Sequence, residues 1–141
     1  MDIDPRGPRF GAVITTVVLA VVLITGSAAL LGAQLLVFAI GAVFGLRYAP
    51  YGVVYRRLVR PQLGPPARTE AEAPPRFSQG VGMVFAAAGV LGYALGVPVA
   101  GVICTAFALI AAFLNAAFDF CLGCQVYLFI QRNLRVRPSG Q

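Results

Sequence analysis

Two long apolar blocks, each without a charged residue, dominate the pattern of hydrophobic and polar positions along this chain. The first block runs from Phe10 to Leu46 and the second from Phe77 to Phe118. Because an α-helix needs about 20 apolar residues to cross a bilayer, each block is long enough for two spans. The pattern therefore predicts two helical hairpins within a membrane.

Turn-forming residues divide each block into two helices. In the first block the apolar pattern is weakest near Gly26-Ser27 or near Gly32-Ala33-Gln34, so one of these is the expected break. In the second block the break is expected at Gly96-Val97-Pro98, because Pro98 suits the first turn of a helix. We therefore predict four spans, at about 10–28, 32–49, 78–96 and 98–118. The predicted fold class is an all-α membrane protein, with residues 1–141 forming a single four-helix transmembrane domain.

More polar segments follow the second and fourth spans. Residues 61–76 are rich in proline and are predicted to be a cytosolic linker. Tyr51 to Arg60 mixes apolar residues with arginines, which fits either a basic amphipathic segment on the inner leaflet or a frayed continuation of helix two. Both interpretations satisfy the apolar pattern. A second interfacial segment is predicted at about 119–134.

The arginines indicate the orientation of the spans. All eleven basic residues are arginines, and they lie at or beyond the ends of the predicted spans. Four spans put the N-terminal group, the group around the linker and the C-terminal group on one side of the membrane. The positive-inside rule makes that side the cytoplasm. We therefore predict an inner (plasma) membrane protein whose two termini are both cytoplasmic.

Composition supports lipid as the natural solvent. Hydrophobic residues make up 59% of the chain and charged residues 11%, against roughly 45–50% and about 25% in soluble domains. The arginines that give the chain its net charge of +6 flank the apolar blocks and do not form a polar surface, so we expect no nucleic-acid partner. The chain has no histidine and three cysteines, too few for a four-thiolate site. No metal and no cofactor is predicted.

The end of helix four is the most distinctive polar stretch. Asn115, Asp119, Cys121, Cys124 and Gln125 follow a wholly apolar run. A straight helix from 98 to 132 would be roughly 50 Å long, well beyond the ~30 Å hydrocarbon core, so we predict a bend at 119–123. If Asp119 caps the helix that follows, Cys121 falls in its first turn, where thiolates are favoured.

These residues suggest thiol chemistry. We predict Cys121 and Cys124 as a catalytic thiol pair, with Asp119 as a cap or proton acceptor. Asn115, Gln125 and Tyr127 are weaker candidates for substrate binding. A Cys-x-x-Cys pair can form a redox disulfide, hand sulfur between thiols or share a metal across a dimer. It can also be two small residues that merely pack at a helix end.

Three segments carry a resemblance to a known family. They are Phe120 to Tyr127, Pro75 to Gln79 and Tyr55 to Pro61, of which the Phe-Cys-x-Gly-Cys-x-x-Tyr segment is the most distinctive. The chain resembles a family of small bacterial membrane proteins known only as a domain of unknown function. The resemblance implies a four-span membrane domain without an established activity. It also implies neighbouring thioredoxin-like or sulfurtransferase functions, and hence a cytosolic partner of that kind.

The predicted function is a cytoplasm-facing thiol redox or sulfur-relay role through Cys121-x-x-Cys124. Whether the chain is an enzyme stays open. One alternative is a transporter of a small sulfur-containing anion, which would need a homo-oligomer or an internal repeat, because four short helices rarely enclose a path alone. Another is a non-catalytic scaffold subunit whose glycine- and alanine-rich helix faces bind a second membrane protein.

Overall fold

A computed structural model describes residues 2–65 and 69–139, which are almost entirely helical. The α-helices are α1 (Arg6–Thr25), α2 (Ala28–Ala39), α3 (Pro50–Val54), α4 (Arg60–Leu63), α5 (Ala73–Ala94), α6 (Pro98–Phe118) and α7 (Leu122–Ser139). Two short strands, β1 (Asp2–Ile3) and β2 (Glu70–Ala71), pair in an antiparallel manner. Residues 66–68 of the predicted linker lie outside the described residues. The predicted helical class is confirmed.

Three of these helices, α1, α5 and α6, are long and apolar enough to cross a membrane. The apolar helix Ala28–Phe44, formed by α2 and a π-helical turn at Ile40–Phe44, is shorter. It ends before residue 49, the predicted limit, because Gly45 adopts a φ of 109° and a 3₁₀ turn, Leu46–Tyr48, follows. Only glycine adopts such a φ without strain.

Local capping explains where the first hairpin turns. Gly26 ends α1: it adopts the left-handed conformation with φ 68°, and its N–H donates to the carbonyl of Val22. The Ser27 side chain then accepts the N–H of Leu30 at 3.1 Å and begins α2. Both are common ways to satisfy the free backbone groups of helix ends. The turn therefore falls at Gly26-Ser27, the first of the two positions that the sequence indicates.

Helices α1, α2, α5 and α6 pack as a bundle. Helix α1 contacts α2 and α6, and α5 contacts the same two helices from the opposite side. The buried apolar core consists of Leu19, Val22, Leu31, Phe38, Ala86 and Ala108. Small residues allow close approach of α5 and α6, since a Cβ added at Gly92 would come within 2.7 Å of the Gly101 nitrogen. These small residues pack within the bundle.

The outer surface of the bundle is far more apolar than that of a soluble protein, and a few polar side chains lie inside. Gln34 and Thr105 lie inside, each with 1% of its surface exposed. Ile24 and Phe107 face outward, with 83% and 57% of their surfaces exposed. In water, exposing many large apolar side chains would be costly, whereas lipid solvates them. The arrangement therefore fits a protein that crosses a membrane.

The start of α5 clamps the end of the second apolar helix. The Arg76 guanidinium donates to the carbonyl oxygens of Ala42 and Val43, both at 2.8 Å. The Glu72 carboxylate accepts the backbone N–H of Leu46 at 2.9 Å. Because the last carbonyls of a helix have no partner within it, these two side chains stabilise the point where the helix stops.

The segment after this helix is a separate unit. It consists of α3, a π-helical turn at Tyr55–Val59, and α4. Tyr55 is 2% exposed and its ring lies 5.7 Å from that of Phe10, near the start of α1. Because the segment turns back onto α1, the interpretation of Tyr51 to Arg60 as a continuation of helix two is wrong. The predicted position of the segment from Tyr51 to Arg60 on the inner leaflet stays a prediction.

Candidate functional site: the Cys121–Cys124 disulfide and its groove

The chain breaks between α6 and α7, within the stretch where the sequence predicts a bend. Asp119 adopts a left-handed conformation with φ 55°, and its N–H donates to the carbonyl of Asn115 at 3.1 Å. A left-handed residue is a frequent end of an α-helix, because it turns the chain away from the helix axis. Helix α7 then begins at Leu122. Asp119 therefore ends α6, and it does not occupy the capping position before α7 that the sequence suggested.

That position belongs to Cys121. Its Sγ accepts the backbone N–H of Cys124 at 3.1 Å, and its carbonyl accepts the N–H of Gln125 at 3.0 Å. Cys121 and Cys124 are joined by a disulfide bond, and both are partly exposed. Free N–H groups and the helix dipole favour negative charge at the start of a helix. When the bond is reduced, Cys121 is thus the better placed of the two to be a thiolate.

Helix α7 is fixed to α5 beside this pair. A Cβ added at Gly123 would lie 2.5 Å from the Ser78 Oγ, so only glycine permits this approach. One turn further, the Tyr127 ring lies 5.5 Å from that of Phe77, and the Gln131 amide donates to the Tyr127 hydroxyl at 3.1 Å. Tyr127, a candidate for substrate binding, therefore holds α7 against α5. The close contact positions the disulfide at the surface of α5.

The disulfide borders a cavity of about 620 Å³ between α1, α5, α6 and the start of α7, which we call the disulfide groove. Of the candidate residues, Asn115, Asp119, Cys121, Cys124 and Gln125 line the groove, whereas Tyr127 is not part of its described lining. The remaining polar lining comes from Thr15, Ser78 and Gln79, and most of the rest is apolar. The structure thus brings together five of the six candidates.

Sequence reasoning missed Gln79 and Thr15. Both come from other helices and reach the groove only through tertiary packing. A polar side chain inside an apolar span was the available signal, because such groups are costly in lipid and usually have a role. Gln34 illustrates the structural role: its amide donates to the Thr15 Oγ1 at 3.5 Å and accepts the Tyr51 hydroxyl at 2.7 Å. It thereby links α1, α2 and α3.

A charged cluster at Asp4 holds the same end of the bundle together. The Asp4 carboxylate accepts hydrogen bonds from the Arg6 guanidinium at 3.0 Å and from the Tyr55 hydroxyl at 3.1 Å. The Arg60 guanidinium lies 4.0 Å away. Partial burial acts to raise the pKa of Asp4, but the hydrogen bonds from Arg6 and Tyr55 outweigh it and hold that pKa below its ordinary value.

Next to this cluster lies a second cavity of about 320 Å³, which we call the arginine cavity. Its charged lining residues are Asp4, Arg47, Arg56, Arg60 and Glu72. Pro8 of α1 and Gln79 of α5 border both the arginine cavity and the disulfide groove, so the two cavities are neighbours. Three of the arginines that serve as topology signals in the sequence, Arg47, Arg56 and Arg60, therefore line a different cavity from the one beside the cysteines.

Comparison with known proteins gives a family but no activity. A family profile matches residues 3–132, and that family is described as a domain of unknown function (DUF4395). No curated protein and no solved structure matches the chain.

Proposed function

This chain belongs to the DUF4395 family, and from that premise we propose that the domain is a four-span inner-membrane protein with a cytoplasmic thiol function. In this proposal Cys121 and Cys124 exchange electrons or sulfur with a thioredoxin-like or sulfurtransferase partner in the cytosol. The observation that carries the proposal is the disulfide at the start of α7, partly exposed beside a cavity. A pair that merely packs would not need a groove next to its sulfur atoms.

Three features support the four spans. Helices α1, α5 and α6 are long and apolar enough to cross a membrane. The helix Ala28–Phe44 has 17 residues, the lower limit of about 17–25 for a span. Most of its outward surface is apolar, including exposed Leu36 and Val43. With four spans, the arginines share one side, and the positive-inside rule makes it the cytoplasm.

Reporter fusions test this topology. We expect a fluorescent protein joined after Gly64 or after Gln141 to fluoresce, because it folds only in the cytoplasm. Alkaline phosphatase joined after Gly26 or after Gly96 should be active, because it folds only outside. Active alkaline phosphatase, in place of fluorescence, after Gly64 would mean that Ala28–Phe44 does not bring the chain back across the membrane, and the four-span topology would be wrong.

The geometry at Cys121 suggests the order of events. The N–H of Cys124 and the start of α7 favour a thiolate at Cys121, so this sulfur attacks a disulfide of the partner. A mixed disulfide forms, and one partner thiolate leaves. Cys124 then attacks the Cys121 sulfur, which closes the Cys121–Cys124 bond and releases the partner in its dithiol form. Electrons pass in pairs, and the reverse sequence oxidises the partner.

The exposed side chains near the disulfide suit such a partner. Asp119 and Gln125 are exposed, and both lie beside the cysteines along the groove. Asp119 can take the proton that a thiol releases, while Gln125 can hydrogen-bond to the main chain of a docked partner. The Arg9 guanidinium, which donates to the carbonyl of Ala116 at 3.2 Å, brings a positive charge to the end of α6.

Thiol trapping in intact cells tests the function. In the Cys124→Ser variant we expect Cys121 to remain bound to a partner as a mixed disulfide, and in Cys121→Ser we expect no such adduct. Cys104→Ser is the matched control, because Cys104 is a free cysteine in α6, and it should behave as the wild type. If oxidant changes neither the labelling of Cys121 and Cys124 nor the yield of adduct, the thiol function is wrong.

A further inference from the structure

We propose that the disulfide groove binds a quinone, a membrane-soluble two-electron carrier, and that this quinone oxidises the reduced Cys121 and Cys124. The inference deepens the proposed thiol function and rests on it. It takes the exchange in its reverse direction, in which the Cys121–Cys124 disulfide oxidises the thiols of the partner and the pair is left reduced, and it concerns the oxidant that then restores the disulfide.

The groove has the size and the lining for such a ligand. Its volume of about 620 Å³ lies within the roughly 300–1,000 Å³ that is usual for small-molecule sites. Val81, Phe85, Phe107 and Ala111 give it an apolar wall between the membrane-spanning helices. An aromatic ring with an apolar tail would bury its surface there, and the sulfur atoms border the same cavity.

Two side-chain amides in the groove lack a hydrogen-bond partner. Gln79 and Asn115 both line it, and within the described part of the chain neither amide group makes a hydrogen bond. Gln34, by contrast, has partners on both sides of its amide group. Both side chains are only partly buried, so their N–H groups are accessible from the groove and can donate to a ligand that accepts hydrogen bonds.

The charge of the lining disfavours an anionic ligand, the main competing class. Asp119 is the one charged residue in the described lining of the groove, and Arg9, although it donates to the nearby Ala116 carbonyl, is not part of that lining. A sulfur-containing anion would meet a carboxylate and no guanidinium in this site. A neutral ring with two carbonyl oxygens fits both the apolar wall and the two amide donors. The lining thus favours a quinone over an anion.

The reaction balances without a further reagent. The two thiols of Cys121 and Cys124 lose two electrons and two protons as the S–S bond forms. The quinone takes up both electrons and both protons at its carbonyl oxygens and leaves as the hydroquinone. The exposed carboxylate of Asp119 can pass one of these protons from a cysteine toward the ring, since it borders the same groove.

Anaerobic oxidation of the purified protein tests the proposal. The full chain in detergent is reduced and freed of reductant, and a benzoquinone with a fully substituted ring and a short tail is added. Full substitution prevents addition of thiols to the ring. We expect one hydroquinone to form for each protein and the free thiols of Cys121 and Cys124 to disappear with it. The Cys121→Ser variant should form none.

Substitutions in the groove identify the binding site. Gln79→Leu and Asn115→Leu should each raise the quinone concentration for half-maximal rate by about tenfold, the effect of losing one hydrogen bond of about 1.4 kcal/mol. Gln62→Leu is the matched control, since Gln62 is an exposed amide outside the groove. Both groove variants should still be oxidised by a small-molecule disulfide at the wild-type rate, which shows that they are folded.

The possible outcomes separate the two proposals. If a disulfide reagent oxidises the reduced pair but the quinone does not, the quinone site is wrong and the thiol function stands. If neither reagent restores the Cys121–Cys124 bond, both proposals fail. Equal quinone dependence of Gln79→Leu, Asn115→Leu and Gln62→Leu would place the quinone outside the groove and overturn the inference.

Discussion

Gly123 lies so close to Ser78 that a Cβ added at Gly123 would come within 2.8 Å of the Ser78 Cα. This contact joins α7 to α5 between the two cysteines, because Gly123 immediately precedes Cys124. The glycine in the Cys-x-Gly-Cys segment is thus a packing requirement, separate from the chemistry of the sulfur atoms.

We therefore expect Gly123→Ala to push α7 away from α5 and to lower the free energy of unfolding by about 1–3 kcal/mol. Thermal unfolding in detergent, followed by circular dichroism, measures the effect. Gly32→Ala is the matched control, because nothing lies within 4 Å of a Cβ at Gly32. Adding Ser78→Gly should restore part of the loss. Equal stability of the Gly123→Ala and Gly32→Ala proteins would contradict the close contact.

A second prediction concerns the packing of α5 on α6. Gly92→Ala places a Cβ within 2.7 Å of the Gly101 nitrogen, and backbone cannot move aside as a flexible side chain can. We expect a loss of about 1–3 kcal/mol in unfolding free energy. Gly80→Ala, on the same helix, meets only the Ala42 Cβ at 3.9 Å and should be neutral or slightly stabilising. The same unfolding measurement distinguishes the two variants.

The clamp formed by Arg76 makes a third prediction. Arg76→Lys keeps the positive charge but loses the planar fork that reaches the carbonyls of Ala42 and Val43. We expect unfolding free energy to fall by about 1–2 kcal/mol while reporter fusions show unchanged topology. Arg57→Lys, at an exposed arginine, should leave both measurements unchanged. If the two lysine variants are equally stable, Arg76 acts only as a topology signal.

The Asp4 cluster predicts a dependence of stability on pH. Because the pKa of Asp4 is below its ordinary value of 3.8 in the folded protein, its contribution is complete above that value and is lost as the pH falls through the lowered one. We expect Asp4→Asn to be less stable than the wild type at about pH 7, by about 1–3 kcal/mol. The difference should shrink on acidification toward about pH 2.

Tyr55→Phe tests the same cluster from the other side. Removing its hydroxyl removes one hydrogen bond to the Asp4 carboxylate, so a part of the pH-dependent stability should go with it. Tyr48→Phe is the control, because Tyr48 is exposed and its ring faces Arg47. A pH profile of unfolding that is identical for Tyr55→Phe and the wild type would rule out the contribution of the hydroxyl.

Local signals made several parts of the fold predictable. The limits of α6 follow from Pro98, which suits a first helical turn, and from the end of the apolar run at Phe118. The break after α6 was predictable from length alone, since one straight helix would have been too long for a bilayer. Its form was not, because sequence does not show whether Asp119 ends one helix or begins the next.

Long-range contacts could not be predicted in the same way. Gln79 and Asn115 are far apart in the sequence, and nothing in their local pattern shows that they border one groove. Arg76 and Asp4 look like ordinary charges beside apolar blocks, and their long-range partners, the carbonyls of Ala42 and Val43 and the hydroxyl of Tyr55, are distant in the sequence. Five of the six candidate residues could be predicted from the sequence, because they lie close together along a single short stretch of it.

The pairing of β1 with β2 joins the earliest part of the chain to a much later one. During synthesis, Asp2–Ile3 emerges long before Glu70–Ala71, and Asp4 before its hydrogen-bond partner Tyr55. The strand β1 therefore stays without its partner strand until the first hairpin and the linker have left the ribosome. This end of the bundle can therefore close only after α1 and α2 have both been synthesised.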